Sequence, residues 1–182
     1  MHLLRIELEN FKSFGGELTI PFEEGFTAIT GPNGSGKSNC GDAIQFVLGP
    51  KSTRSLRASN VTELIFNGGK SGKPAKHMSV TLVFENSPEN DGKRRLKSDT
   101  DEASFTRSVR LNRKGEPVSS YKTNGEPTSA SEMRRILSQA GLRGDGYNIV
   151  LQGDVTNLAT MTPHKRKGVL PWPKRPKMAT ST

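Results

Sequence analysis

From the amino terminus, Leu4, Ile6 and Leu8 alternate with Arg5, Glu7 and Glu9. Alternation of this kind places apolar side chains on one face of a strand and charges on the other. Leu18, Ile20 and Phe22 repeat it after Gly15-Gly16, so the first two strands are expected to pair. Residues 26–30 are almost continuously apolar, the pattern of a central strand covered on both faces, and Gly31 ends the run. The period then changes. Over 37–48, Cys40, Ala43, Ile44, Val47 and Leu48 recur at helical spacing, and Gly49-Pro50 stops the helix.

Further along, residues 61–66 read as extended and 67–76 as a Gly/Lys loop. Val80, Leu82 and Phe84 alternate in another strand. Residues 86–102 carry one large apolar residue, Leu96, which predicts a solvated, disordered loop. Residues 105–111 and 118–123 predict a hairpin around Lys114-Gly115, and Asn124-Gly125 marks a further turn. Ser129 and Glu132 have capping-box spacing, Met133, Ile136, Leu137 and Ala140 follow at helical spacing, and Gly141 suits a C-cap. Residues 147–151 are a last buried segment ending in Gln152. Pro171, Pro173 and Pro176 surround Trp172, and prolines this dense prevent a helix. A packed lobe over 1–167 and a basic, Pro-rich, disordered tail over 168–182 are therefore expected.

Composition adjusts this picture in three places. The chain of 182 residues has room for one sizeable core, but with 31% hydrophobic residues much of it must be loop. No run approaches the roughly 18 apolar residues of a membrane span, and no signal-peptide plan precedes the first strand, so a soluble intracellular protein is the expectation. The single cysteine, Cys40, excludes an internal disulfide framework and a cysteine-based zinc site, and its place on the apolar helix face predicts a core residue. The net charge of +9 suggests a nucleic-acid partner, but six Lys and Arg and no acid lie beyond Pro163. Without that stretch the net charge is +3, a mildly basic body.

The sharpest chemistry is Gly31-Pro32-Asn33-Gly34-Ser35-Gly36-Lys37-Ser38, a full G-x-x-x-x-G-K-S match between an apolar run and an amphipathic helix. The glycines let backbone close around an anion, and successive N–H groups form a nest for it. The helix start adds further N–H groups and the positive end of its dipole. Lys37 can reach β- and γ-phosphates, and the Ser38 hydroxyl can ligate Mg²⁺. The motif predicts a nucleoside triphosphate, ATP, as ligand.

Hydrolysis needs more: an apolar strand ending in an acid that holds the metal, and a group that orients water. Thr81-Leu82-Val83-Phe84-Glu85 is the one candidate for that strand. Its alternation with Ser79, and Glu where Asp is usual, read better as a plain strand. The sequence thus supports nucleotide binding and gives little support to self-contained hydrolysis.

Taken together, several motifs carry a resemblance. Phe11-Lys12-Ser13-Phe14, the phosphate loop, Asn39, Asp42-Ala43-Ile44, Leu56-Arg57-Ala58-Ser59 and Leu64-Ile65-Phe66 stand in order. Tyr121, Asn124-Gly125 and Gly146-Tyr147-Asn148-Ile149-Val150-Leu151-Gln152-Gly153-Asp154 follow. The series, running from Met1 to about Lys167, resembles the N-terminal ATPase segment of structural-maintenance-of-chromosomes (SMC) proteins of archaeal and bacterial type. The resemblance implies an α/β fold, the N-terminal lobe of an ABC-type ATPase head, a mixed sheet with a phosphate-loop helix that is incomplete without its C-terminal lobe. It implies ATP and Mg²⁺ as cofactors, with Gln152 as the Q-loop glutamine near metal and water. Arg57 resembles the family's arginine near the nucleotide, and Lys12 and Ser13 lie where family members approach it. The implied partners are the C-terminal head segment of the same chain, a second head in a homodimer, a kleisin-type accessory subunit and duplex DNA bound without sequence preference. The implied setting is cytoplasmic, at the nucleoid, and the implied process is chromosome condensation and segregation.

Two departures bear on this. The family's Walker B pair, signature motif and switch histidine belong to its C-terminal segment and have no counterpart here. Beyond Met161-Thr162-Pro163 and Lys165-Arg166 the family continues into an acidic helix and heptads, whereas this chain reads Gly168-Val169-Leu170-Pro171-Trp172-Pro173. A shifted frame or a truncation near residue 168 is the expectation. Lys51, Arg54 and Arg57, and then Lys70, Lys73 and Lys76, are candidate DNA-phosphate contacts. The competing readings are a RecF- or RecN-like repair ATPase fragment, a nucleotide kinase built on a phosphate loop, and a binding module without turnover.

Overall fold

Six strands form one antiparallel sheet in the order β2-β1-β3-β4-β5-β6. They are β1 (Leu3–Phe11), β2 (Phe14–Pro21), β3 (His77–Glu85), β4 (Glu102–Leu111), β5 (Pro117–Thr123) and β6 (Glu126–Thr128). Among the described residues two α-helices accompany the sheet, α1 (Lys37–Leu48) and α2 (Ala130–Gln139). This computed structural model describes residues 2–49, 56–89, 91–96 and 98–142, all of them within one unit, Met1–Gly144. Gln152, residues 147–151, Lys51, Arg54 and the tail lie outside the described residues. Among the described residues no helix is long and apolar enough to cross a membrane.

The core follows from strand alternation. Ile6 pairs with Leu82, and Leu82 with Phe105, giving an apolar row across β1, β3 and β4. All three side chains are fully buried. Helix α1 packs over these strands with Ala43, Phe46 and Val47, and the Phe11 and Phe46 rings stand 5.8 Å apart. Each such large side chain is worth about 1.5–3 kcal/mol when fully buried. Helix α2 packs along β5 and buries Met133 and Leu137. The Ser129 hydroxyl caps α2 by accepting from the Glu132 N–H at 3.1 Å, as the capping-box spacing predicts. Asn124 and Gly125 have φ of 51° and 82°, the paired positive values of a tight hairpin turn.

Several expectations are corrected. Residues 26–30 form no strand: they are exposed, Phe26 at 94% and Ile29 at 43%. A central strand needs a ladder on each side, and among the described residues none flanks this run. Among the described residues every strand pairing of the α/β lobe is antiparallel. The β1–β2 turn lies at Lys12-Ser13, not at Gly15-Gly16, which sit inside β2. Residues 61–66 are not extended: Val61–Leu64 is a 3₁₀ turn capped by the Asn60 side chain, and only Ile65 bridges to Phe11. Ile44 is half-buried, and its expected place on the helix's inner face is taken by Phe46.

The described residues of 86–102 are organised around one side chain. Asn86 is 2% exposed; its Nδ2 donates to the Thr100 carbonyl at 3.1 Å, and its Oδ1 accepts from the Leu96 N–H at 3.1 Å. Arg94 Nη1 closes the loop by donating to the Asn86 carbonyl at 2.7 Å and to Asp101 Oδ1 at 2.6 Å. A buried amide satisfying backbone groups supplies the order that apolar content does not.

Candidate nucleotide site

Residues 31–36 lead straight into α1. Gly36, the N-cap, has φ of 92°, and a Cβ there would lie 2.9 Å from the Phe14 ring and 3.2 Å from Ser13 Oγ. Any side chain would be both strained and crowded, so the close approach of the β1–β2 turn to the loop requires glycine. No side chain caps the helix N-terminus, and its first turn holds no acid. The N–H groups and the positive helix end are thus left to an anion.

Lys37 folds back over the loop. Its Nζ donates to the carbonyl oxygens of Gly31 at 2.6 Å and Pro32 at 2.7 Å. Pro32, Asn33, Gly34, Ser35 and Ser38 are exposed along the same stretch. The cradle, the uncapped helix end and the ammonium fit a polyphosphate. Ser38 would hold Mg²⁺ through its hydroxyl; no cluster of three or more His, Cys, Asp or Glu among the described residues could hold a metal. Such an ion would take most of its ligands from phosphate oxygens and water.

One wall of the site is built by residues distant in sequence. Asn39 Nδ2 donates to Ser13 Oγ at 2.8 Å, and Arg57 Nη2 reaches Asn39 Oδ1 at 3.5 Å. Arg57 also pairs with Asp42 Oδ2, and Lys12 Nζ pairs with the same oxygen. A groove of about 410 Å³ runs beside this wall, lined by Lys12, Ser13, Asn39, Phe66 and neighbours in 63–69. The structure therefore brings Lys12, Ser13, Gly36, Lys37, Ser38, Asn39 and Arg57 together, while Gln152 falls outside the described residues.

Asp42 was not singled out as a site residue by its sequence position. The available signal was a lone carboxylate in α1, set between Cys40 and Ala43 on a helix otherwise free of acids. Cys40 itself is 5% exposed, and burial pushes its thiol pKa up, so it is a core residue rather than a nucleophile. Glu85, at the end of the strand considered for metal binding, pairs with His2 Nδ1 at 2.9 Å. Its strand lies between β1 and β4 as plain sheet.

Comparison with known proteins agrees with this geometry. Residues 2–145 match the family described as RecF/RecN/SMC N terminal domain. The chromosome partition protein Smc of Pyrococcus furiosus is 45% identical over 167 residues, which is 91% of this chain and 13% of that protein. The Smc of Synechocystis is 37% identical over 179 residues, 93% of this chain and 15% of that protein. The chain thus spans about a seventh of these relatives. Among solved structures, a chain from work on ATP-driven dimerization and DNA-stimulated activation of SMC ATPases superimposes with a TM-score of 0.80 at 45% identity, covering 93% of this chain and 97% of that one. The Pyrococcus furiosus Smc head with an extended coiled coil, bound to the C-terminal domain of ScpA, gives a TM-score of 0.80 at 45% identity over 92% of this chain and 40% of that one. With the phosphate loop, its helix and the antiparallel sheet in the same arrangement, the chain belongs to the RecF/RecN/SMC N-terminal domain family, as an N-terminal SMC head segment of archaeal and bacterial type.

Proposed function

We propose that this chain is the ATP-binding half of an SMC head ATPase that engages a second head and acts on DNA in chromosome condensation and segregation. The observation that carries it is the uncapped, acid-free start of α1 behind a glycine cradle, with Lys37 folded across it. In this reading Lys37 neutralises β- and γ-phosphate charge, Ser38 ligates Mg²⁺ and the loop N–H groups hold the phosphate oxygens. Lys12, Ser13, Asn39 and Arg57 form the wall alongside. Gln152 would orient water beside a bound Mg²⁺; an amide can do so without competing as a base. Bound Mg²⁺ would supply charge neutralisation across the phosphates.

The remaining chemistry is assigned to partners. The C-terminal head segment supplies the acidic strand and the catalytic carboxylate, and a second head supplies the capping motif. The exposed run 26–30, with Phe26 and Ile29, leaves apolar side chains open to such a segment. A kleisin-type subunit is a further partner, in keeping with relatives whose heads are bound to ScpA domains. Duplex DNA is the substrate surface, and the setting is the cytoplasm at the nucleoid. A RecF- or RecN-like role shares the same family model but not the SMC relatives.

The test is calorimetric ATP binding and phosphate release, with the chain alone and with a C-terminal SMC head segment added. Binding by the chain alone, loss of binding in Lys37→Ala, and turnover only with the added segment are expected. Turnover by the chain alone would favour a self-contained enzyme and overturn the split-site reading.

A further inference from the structure

Asp42 is the only carboxylate of α1, and its side chain is 5% exposed. One of its oxygens, Oδ2, takes both Lys12 Nζ and Arg57 Nη2. The Lys12 ammonium also donates to the carbonyl oxygen of Leu56 at 2.6 Å, and Leu56 directly precedes Arg57. These contacts close a ring. It runs from carboxylate to ammonium, on to the Leu56 carbonyl, one residue along the chain to the guanidinium, and back to the same carboxylate. A buried charge is costly unless paired, so Asp42 and the 11%-exposed Lys12 hold each other in place. Lys12 and Arg57 have φ of 51° and 54°, left-handed values that an L residue keeps only where its surroundings over-determine them. The ring adds to what holds them, beside the Lys12 N–H bond to the Leu64 carbonyl at 2.7 Å.

The ring ends beside the phosphate loop. Arg57 meets Asp42 and Asn39 through the same nitrogen, Nη2, and Asn39 adjoins Ser38. A guanidinium has five N–H donors in a flat fork, and this side chain is 48% exposed. Among the described residues only Nη2 of the fork is engaged, and the exposed part has the form that suits phosphate oxygens.

We infer that Asp42 is a positioning residue of the nucleotide site. It holds the Arg57 guanidinium directly and the backbone before it through Lys12, and so aims the open edge of Arg57 at a triphosphate on residues 31–38. Lys12 serves in this as a strut. The inference rests on the nucleotide reading above, and the experiment separates the two.

ATP affinity is measured by calorimetry on the 182-residue chain, on Asp42→Asn, on Arg57→Gln, on the double variant and on Lys37→Ala, with circular dichroism as a check of folding. Each of the Asp42 and Arg57 single variants is expected to weaken ATP binding by about tenfold. The double variant is expected to be no weaker than Arg57→Gln alone, because Asp42 acts through Arg57. A structural role for Asp42 would instead weaken binding equally in both backgrounds, and a double variant showing the product of the single losses overturns the inference. Lys12→Gln in the same cycle is the milder variant should Asp42→Asn not fold; non-additivity with Arg57→Gln supports the ring and additivity overturns it. Loss of binding in Lys37→Ala with an additive cycle overturns the inference alone. ATP binding untouched by Lys37→Ala, or no ATP binding by the unsubstituted chain, overturns both readings.

Discussion

Arg107 of β4 donates through Nη1 to the carbonyl oxygen of Phe46 at 2.9 Å, and its guanidinium carbon lies 4.3 Å from the centroid of the Phe46 ring. Tyr121 of β5 lies at 5.5 Å from the same guanidinium. Arg107 stands on the core-facing side of its strand, in register with Val80 and Tyr121. Burial lowers its pKa, yet an arginine remains charged there. The carbonyl it meets belongs to the last turn of α1, the negative end of the helix dipole. The phosphate-loop helix is thus tied to the fold at its middle through Asp42 and near its finish through Arg107. Arg107→Met keeps the apolar stem and removes the charge, and is expected to lower stability by about 1–2 kcal/mol in urea unfolding. A midpoint equal to that of the unsubstituted chain would show the contact to be idle.

Gly36→Ala tests the cradle from the other end. The added methyl meets Phe14 and Ser13 and forces an L residue to φ of 92°. A cost of about 1–3 kcal/mol is expected, with ATP affinity falling alongside. Gly34, where a Cβ meets nothing within 4 Å, is the internal comparison: its alanine variant carries the φ strain without the clash. Equal losses at both positions would remove the close approach of Phe14 and Ser13 as the reason for glycine.

The loop around Asn86 makes a prediction about proteolysis. Asn86→Ala leaves the Leu96 N–H without its side-chain partner and the Thr100 carbonyl with Arg94 Nη1 alone, at about 1–3 kcal/mol for the buried group left unpaired. Limited digestion should then cut within 87–101 well before the sheet unfolds. An unchanged digestion pattern would mean that Arg94 holds the loop without Asn86.

Acid stability isolates the Arg5–Glu102 pair, whose nitrogens and oxygens meet at 2.8 and 2.9 Å. The Arg5 guanidinium holds the Glu102 carboxyl below its ordinary value. A depressed folded pKa contributes stability that is present above the unfolded value of 4.5 and lost as pH falls through the folded one. The pair is largely exposed, so Glu102→Gln should cost only about 0.5 kcal/mol at neutral pH. The difference from the unsubstituted chain should vanish in strong acid. A gap between the two melting curves that persists in strong acid would reject the linkage.

Lys70, Lys73 and Lys76 are exposed on the loop after Phe66, whose ends are tied by the Ala75 N–H donating to the Phe66 carbonyl at 2.9 Å. Weak, sequence-independent binding to duplex DNA is expected, falling steeply as salt rises. Replacing all three by Gln should reduce the slope of log K against log salt by about 2–3. Binding unchanged between low and high salt would rule out a phosphate-contact mechanism.

The sequence by itself determined the local elements whose signals are short-range. The G-x-x-x-x-G-K-S run, the helix ending at Gly49, the Ser129 cap and the Asn124-Gly125 turn each depend on residues a few positions apart, so their chemistry is legible from neighbours alone. Tertiary structure decided what depends on partners far along the chain. Residues 26–30 have strand composition but no ladder among the described residues, and Asn86 orders a loop that hydrophobic content alone would leave loose. The same holds for the site. Lys37 and Ser38 announce themselves by motif, whereas Asp42 acquires its place only because folding brings Lys12, 30 residues before it, and Arg57, 15 residues after it, onto one carboxylate oxygen. An isolated Asp in a helix looks solvated on paper; burial beside two cations, which no local pattern encodes, is what makes it part of the site.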